Sequence, residues 1–163
     1  MSTKWIYATA LVIAVFLAFY FYKKYKVAPH IDVKQLSLTD LGGIKSGLEN
    51  FKGKKLIICF GASWCVNCIE ELDLLSKIKR EKLSDIEVVV ISDESLEKIE
   101  RFKNRKNYPF TFLKLNTTFG AMGINSIPTT YLVNTNLTVV KETVGYMNWE
   151  DASNLEHYKK LMD

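Results

Sequence analysis

The sequence predicts an α/β fold, a mixed central sheet covered by helices on both faces, preceded by one N-terminal transmembrane helix. Short, unbroken apolar runs at Leu56–Phe60 and Ile86–Ile91 suit strands buried on both faces. Segments of helical pattern alternate with these runs, which is the signature of a layered α/β domain. Ahead of them, Trp5 to Tyr22 continues for eighteen residues without a charge. A chain of 163 residues, 48% apolar and 25% charged, is sized for one folded domain plus an appendage.

As a helix, the Trp5–Tyr22 run is roughly 27 Å long, close to the hydrocarbon thickness of a bilayer. A cleaved signal peptide shares the general form. Here, however, the run passes straight into Lys23, Lys24, Tyr25 and Lys26 with no small-x-small exit, and Pro29 follows Ala28, the nearest small residue. We therefore read an uncleaved anchor that meets the lipid bilayer through residues 5–22, with Trp5, Tyr7, Tyr20 and Tyr22 at interfacial depth. This gives residues 1–26 as anchor with basic flanks, 27–32 as linker and 33–163 as the folded domain. Three lysines follow the span while one lysine and the amino terminus precede it, so a strict positive-inside count tips the domain toward the cytoplasm by a small margin.

The net charge of +4 belongs to the anchor. Lys4, Lys23, Lys24 and Lys26 flank it, leaving 18 basic residues to balance 18 acids. Lys52-Gly53-Lys54-Lys55 and the Arg101 to Lys106 stretch then read as solvated turns and helix faces, and no nucleic-acid partner is expected.

Within the domain, Val33 to Leu41 alternates as a half-buried strand does, and Gly42-Gly43 supplies a turn. A second short strand or loop covers Ile44 to Phe51, followed by the strand Leu56–Phe60. A helix should begin in the second half of the Cys65-Val66-Asn67-Cys68 segment and run to about Lys82. Its acids gather early (Glu70, Glu71, Asp73) and its bases late (Lys77, Lys79, Arg80, Lys82), which complements the helix dipole. After the Ile86–Ile91 strand come a helix at Ser95–Arg105, a strand at Phe110–Leu115 and a short helix at Thr117–Met122. Strand Thr130–Val133 then turns through Asn134–Asn136 into a hairpin partner at Thr138–Val144, and a final helix runs from about Trp149 to Met162.

Two of the three cysteines form a Cys-x-x-Cys at a strand-to-helix junction. Unsatisfied amides at the helix start favour a negative sulfur and lower the thiol pKa of the first cysteine. Cys65 is thereby the nucleophile, and Cys68, one turn inside, the resolving thiol. The same spacing also fits half of a zinc site, but zinc needs two further ligands. The chain offers Cys59, His30 and His157; His30 sits in the linker and His157 on a surface-type helix, so neither a metal nor a cofactor is expected. Cys59, inside an apolar strand, reads as a small core residue.

Glu71 stands out by its position. At about 100° per residue, Cys68, Leu72, Leu74, Leu75 and Ile78 share one broad arc; Glu71 falls inside it, Glu70 and Asp73 outside. A carboxylate on the core side near a buried sulfur has its pKa raised by burial and can exchange a proton with Cys68. The alternative is a glutamate that snorkels to solvent.

Phe60-Gly61-Ala62-Ser63-Trp64-Cys65-Val66-Asn67-Cys68 resembles the active-site stretch of thioredoxins, and Ile127-Pro128-Thr129, about sixty residues later before a strand, resembles their cis-proline loop. Leu48-Glu49-Asn50-Phe51-Lys52-Gly53-Lys54, the extra strand and helix before the proline loop, and the anchor are more similar to the TlpA/ResA branch of membrane-anchored thioredoxin-like proteins. The resemblance implies a thioredoxin fold with an N-terminal strand extension and an inserted strand-helix. It implies a redox-active Cys65–Cys68 disulfide, a cis Pro128 beside it, and substrate contacts at Trp64, Ile127, Pro128 and Thr129, with Ile127 pairing to the partner chain. An acid three residues after the second cysteine belongs to the TlpA/ResA pattern too, in agreement with the projection of Glu71.

The implied activity is that of a reductant-type thiol:disulfide oxidoreductase. It would be single-pass in the cell (inner) membrane, with its catalytic domain on the extracytoplasmic, periplasmic side. Its partners would be disulfide-containing protein clients and a membrane thiol electron donor, and cytochrome c maturation is one such task. Rival readings are an oxidant or disulfide isomerase on the same fold, and a non-catalytic thioredoxin-like binding module. Gly61 stands where thioredoxins carry a Trp, Asp73 where the TlpA/ResA pattern often has a Pro, Asn67 where a Pro usually separates the cysteines, and Cys59 where thioredoxins bury an acid.

Overall fold

The computed structural model describes residues 3–163; Met1 and Ser2, part of the expected anchor segment, lie outside the described residues. Helix α1 (Thr3–Lys26) contains a 22-residue stretch from Trp5 to Lys26 that is long and apolar enough to cross a membrane, and none of it is buried inside the protein. Exposed Leu11, Val12, Ile13, Phe16 and Phe19 give it no polar face, so it is not a core helix of the domain.

Among the described residues the sheet is seven-stranded, in the order β2-β1-β5-β4-β3-β6-β7. The strands are β1 (Leu38–Thr39), β2 (Lys45–Ser46), β3 (Lys55–Phe60), β4 (Ile86–Ser92), β5 (Thr111–Leu115), β6 (Thr129–Val133) and β7 (Val139–Val144). The central strands β3, β4 and β5 are parallel, which requires crossover helices, and α2 (Val66–Lys82) and α3 (Leu96–Lys106) supply them. Strand β6 returns antiparallel on the other side of β3 and hairpins into β7, and helix α4 (Ala152–Leu161) closes the chain.

Buried on both flanks and both faces, β3 and β4 are apolar at nearly every position, and their alternate side chains feed two cores. Ile57, Cys59, Val88 and Val90 meet Leu72, Leu75 and Ile78 of α2, Ile99 and Phe102 of α3 and Leu155 of α4. Leu56, Ile58, Phe60, Val89 and Ile91 face the opposite way. There Ile31, Val33 and Leu48 cover them, with Phe51 and Met122 packed alongside, from segments that include three short 3₁₀ helices at Val33–Gln35, Leu48–Phe51 and Gly120–Met122.

Three local expectations are corrected. Val33–Leu41 is not one strand: the Asp32 side chain accepts the Lys34 N–H at 3.0 Å and the Asp32 carbonyl accepts the Gln35 N–H at 3.1 Å, closing a 3₁₀ turn before the two-residue β1. The short helix at Thr117–Met122 contracts to a 3₁₀ turn at Gly120–Met122, stopped by Gly123 at φ 75°. The last helix starts at Ala152 rather than Trp149, because Asp151 is its N-cap and accepts the N–H groups of Ser153 and Asn154. That frees Trp149 to pack inward.

Candidate active site

The register of β3 and β6 assembles the site at the carboxyl end of the parallel strands, where ligands meet open α/β sheets. Phe60 pairs with Thr129, so the next residues, Gly61 and Pro128, come side by side as the strands end. A Cβ on Gly61 would stand 3.2 Å from Cys68 Sγ and 3.3 Å from Cys68 Cβ. The bare glycine backbone lets the strand end pass close to the sulfur without displacing it.

Cys65 is the N-cap of α2, extended at φ −83° and ψ 108°, and its Sγ accepts the N–H of Cys68 at 3.2 Å. An α2 amide without a helical partner therefore points at this sulfur, which favours the thiolate. The two cysteines form a disulfide with Cα atoms 5.2 Å apart. Cys65 keeps 8% of its surface and Cys68 3%, and the exposed Trp64 and Val66 flank the outer sulfur, so a partner reaches Cys65 first. Glu94 holds the loop that delivers it: its carboxylate accepts the Ser63 N–H at 2.6 Å and the Ser63 hydroxyl at 2.9 Å.

The Ile127–Pro128 peptide bond is cis. The Pro128 carbonyl accepts Gly145 N–H at 2.8 Å, and the Thr129 hydroxyl donates to the Ser126 carbonyl at 2.7 Å, so both neighbours of the loop are tied down. Ile127 is different. Among the described residues its backbone N–H and C=O have no hydrogen-bond partner, leaving an unpaired edge next to Pro128.

Glu71 is 1% exposed, one helical turn beyond Cys68. Its Oε1 accepts the Thr130 hydroxyl at 2.9 Å and Trp149 Nε1–H at 3.3 Å, and its Oε2 accepts Met147 N–H at 3.1 Å. Burial pushes its pKa up; the hydrogen bonds from Met147, Thr130 and Trp149 pull the other way and only partly offset it. It does not snorkel, and its hydrogen bonds run to these three donors rather than to Cys68. Thr130 Oγ1 also lies 3.9 Å from Cys59 Sγ, and burial, then the Glu71 charge, push the Cys59 thiol well up. His30 and His157 are exposed.

Sequence reasoning did not find Thr130, Met147, Trp149 or Glu94 as parts of the site. The Glu71 donors lie 59 to 78 residues away along the chain, and no local pattern pairs them. The one available signal was Asp151, a helix start that leaves Trp149 outside the helix.

A family model described as the AhpC/TSA family matches residues 26–142. Thioredoxin-like protein YneN of Bacillus subtilis is 32% identical over 119 residues, covering 68% of this chain and 68% of YneN. Thiol-disulfide oxidoreductase ResA of Bacillus anthracis is 26% identical over 145 residues, covering 86% of this chain and 82% of ResA. Among solved structures, a Chlorobium tepidum protein assigned as a thiol:disulfide interchange protein DsbE superposes with a TM-score of 0.69 at 17% identity, covering 84% of this chain and 99% of that one. At that identity the likeness shows the fold, which is thioredoxin-like.

Proposed function

The chain belongs to the AhpC/TSA family as a thioredoxin-like thiol:disulfide oxidoreductase, and we propose that it is a membrane-anchored reductant of disulfides in extracytoplasmic protein clients. The observation that carries this is the N-cap geometry of Cys65, whose sulfur accepts a helix-start amide beside the exposed Trp64.

In the reduced protein, the Cys65 thiolate attacks one client sulfur. A Cys65–client S–S bond forms, the client's own S–S bond breaks, and the departing sulfur takes up a proton. The Cys68 thiol then loses its proton and attacks Cys65 Sγ, forming the Cys65–Cys68 disulfide and releasing the second client thiol. Two electrons pass from the dithiol to the client; of the two protons its thiols take up, one balances the proton given up by Cys68 and the other comes from solvent, which received the Cys65 proton when the thiolate formed. A membrane thiol donor resets the pair by the reverse exchange.

Glu71 takes the Cys68 proton, since burial makes it a stronger base than an exposed glutamate. An extended client segment pairs with the free N–H and C=O of Ile127, while Trp64 and Thr129 border it. Helix α1 tethers the domain to the inner membrane. ResA relatives are named as thiol-disulfide oxidoreductases, and cytochrome c maturation is a task that suits such a reductant.

The test is Cys68→Ser trapping in cells. Mixed disulfides between Cys65 and clients should accumulate and be identifiable after tryptic digestion; recovery of none under oxidising conditions contradicts the reading. The side of the membrane is tested by an impermeant thiol reagent acting on Lys52→Cys, a solvent-exposed position, with the active-site cysteines changed to serine. Labelling in intact spheroplasts is expected.

A further inference from the structure

Helix α3 turns a basic face toward the active-site loop. At about 100° per residue, Lys98, Arg101 and Arg105 fall within an arc of about 60°, whereas Glu97, Glu100 and Asn104 occupy the adjacent one. Between that face and Trp64 lies an open groove of about 300 Å³, lined by Ser63, Trp64, Lys98, Arg101 and Arg105 together with the buried Phe102.

The nearby acids offset only part of it. Glu94 also lines the groove and brings one formal negative charge against three cations, its position fixed by the Ser63 N–H and hydroxyl that it accepts. The Asp93 carboxylate accepts the Phe119 N–H at 3.0 Å. Glu97 meets Arg101 at 2.7 Å, but both side chains are more than two-thirds exposed, and such an i,i+4 pair in water is weak and easily screened. Among the described residues Lys98 and Arg105 have no salt-bridge partner.

We propose that this groove docks an acidic, Asp/Glu-bearing segment of the protein client that lies next to the client's disulfide. The inference rests on the reductase reading and adds a substrate class to it. The groove adjoins Trp64 and so begins one residue from the attacking sulfur, within reach of a segment that continues from the reacting client cysteine on the side away from Ile127. Trp64 offers that segment an apolar platform, and the three cations supply charge complementarity, which acts mainly on encounter rate and partner choice.

Full-length protein, reconstituted in zwitterionic nanodiscs and pre-reduced, should be mixed with three peptides that share one disulfide core and carry acidic, neutral or basic flanks. The acidic peptide is expected to oxidise the protein about tenfold faster than the basic one at low ionic strength, with the ratio shrinking as salt is added. Lys98→Gln/Arg101→Gln/Arg105→Gln, which keeps helix propensity, should bring that ratio to about one. A ratio of one in the native protein, or a preference that survives the triple substitution, overturns the groove proposal. If the triple substitution instead abolishes association of the nanodiscs with anionic vesicles and leaves the peptide ratio unmoved, the face is lipid-directed and the proposal fails. Absence of any oxidation by the neutral peptide would count against the reductase reading itself, which separates the two failures.

Discussion

The Thr130 hydroxyl donates to Glu71 Oε1 at 2.9 Å, tying the strand that follows the proline loop to the helix that carries Cys68 and is capped by Cys65. With Met147 N–H and Trp149 Nε1–H it forms a cage of three donors around one buried carboxylate. A carboxylate so buried is costly, and three donors lower that cost without removing it, because burial still dominates its titration.

Glu71 should therefore leave a signature in stability against pH. Its folded pKa lies above the unfolded value, so the folded state binds more protons across that interval and stability falls as pH rises. The contribution is complete below the ordinary glutamate pKa and is lost once pH passes the raised folded value. Urea unfolding over pH 4 to 8 should show this slope in the wild type and a flatter profile in Glu71→Gln. Parallel profiles would mean that the group does not titrate as its surroundings dictate.

Of the two side-chain donors to Glu71, Thr130 should count for more than Trp149. Trp149→Phe removes the 3.3 Å bond and Thr130→Val the 2.9 Å bond, so each moves the titration of Glu71 higher, Thr130→Val further. Carboxyl NMR shifts of labelled glutamate measure both, and a downward movement in either variant contradicts the cage.

How much of this was legible in the sequence follows from the range of each interaction. The buried strands and the inward aim of Glu71 are local consequences of apolar runs and a 100° helix step, and they are where the sequence places them; α2 itself starts at Val66, earlier than the second half of the Cys65–Cys68 segment, with Cys65 as its cap. The donors around Glu71 are not local: they meet it only because β6 pairs with β3 and because the chain between β7 and α4 folds back beneath α2. The segment before β1 misled for another reason. Leu36 and Leu38 are buried with the period of a strand, but Val33 is buried out of that phase, because Asp32 offers the backbone a turn that competes with the sheet.

Gly61→Ala tests the close approach of strand and sulfur. The added methyl would sit 3.2 Å from Cys68 Sγ, and overpacking of this kind costs about 1–3 kcal/mol. Denaturant unfolding of the oxidised protein should show the loss; an unchanged midpoint would mean the site has slack that the geometry denies.

Cys59 should behave as core. Its buried, raised thiol predicts that iodoacetamide modifies Cys65 in the reduced native protein and reaches Cys59 only after unfolding, as read by peptide mass spectrometry. Cys59→Ala should retain disulfide exchange. Native labelling of Cys59, or loss of exchange in that variant, would give this thiol a part in the chemistry.

The most direct measurement is a single turnover. Pre-reduced full-length protein is mixed with a disulfide-bonded protein, and thiols are counted on each partner. One client disulfide opened per molecule, two client thiols gained, a Cys65–Cys68 disulfide formed and none of this in Cys65→Ser is the predicted result. No transfer from the wild type, or equal transfer from Cys65→Ser, would contradict it.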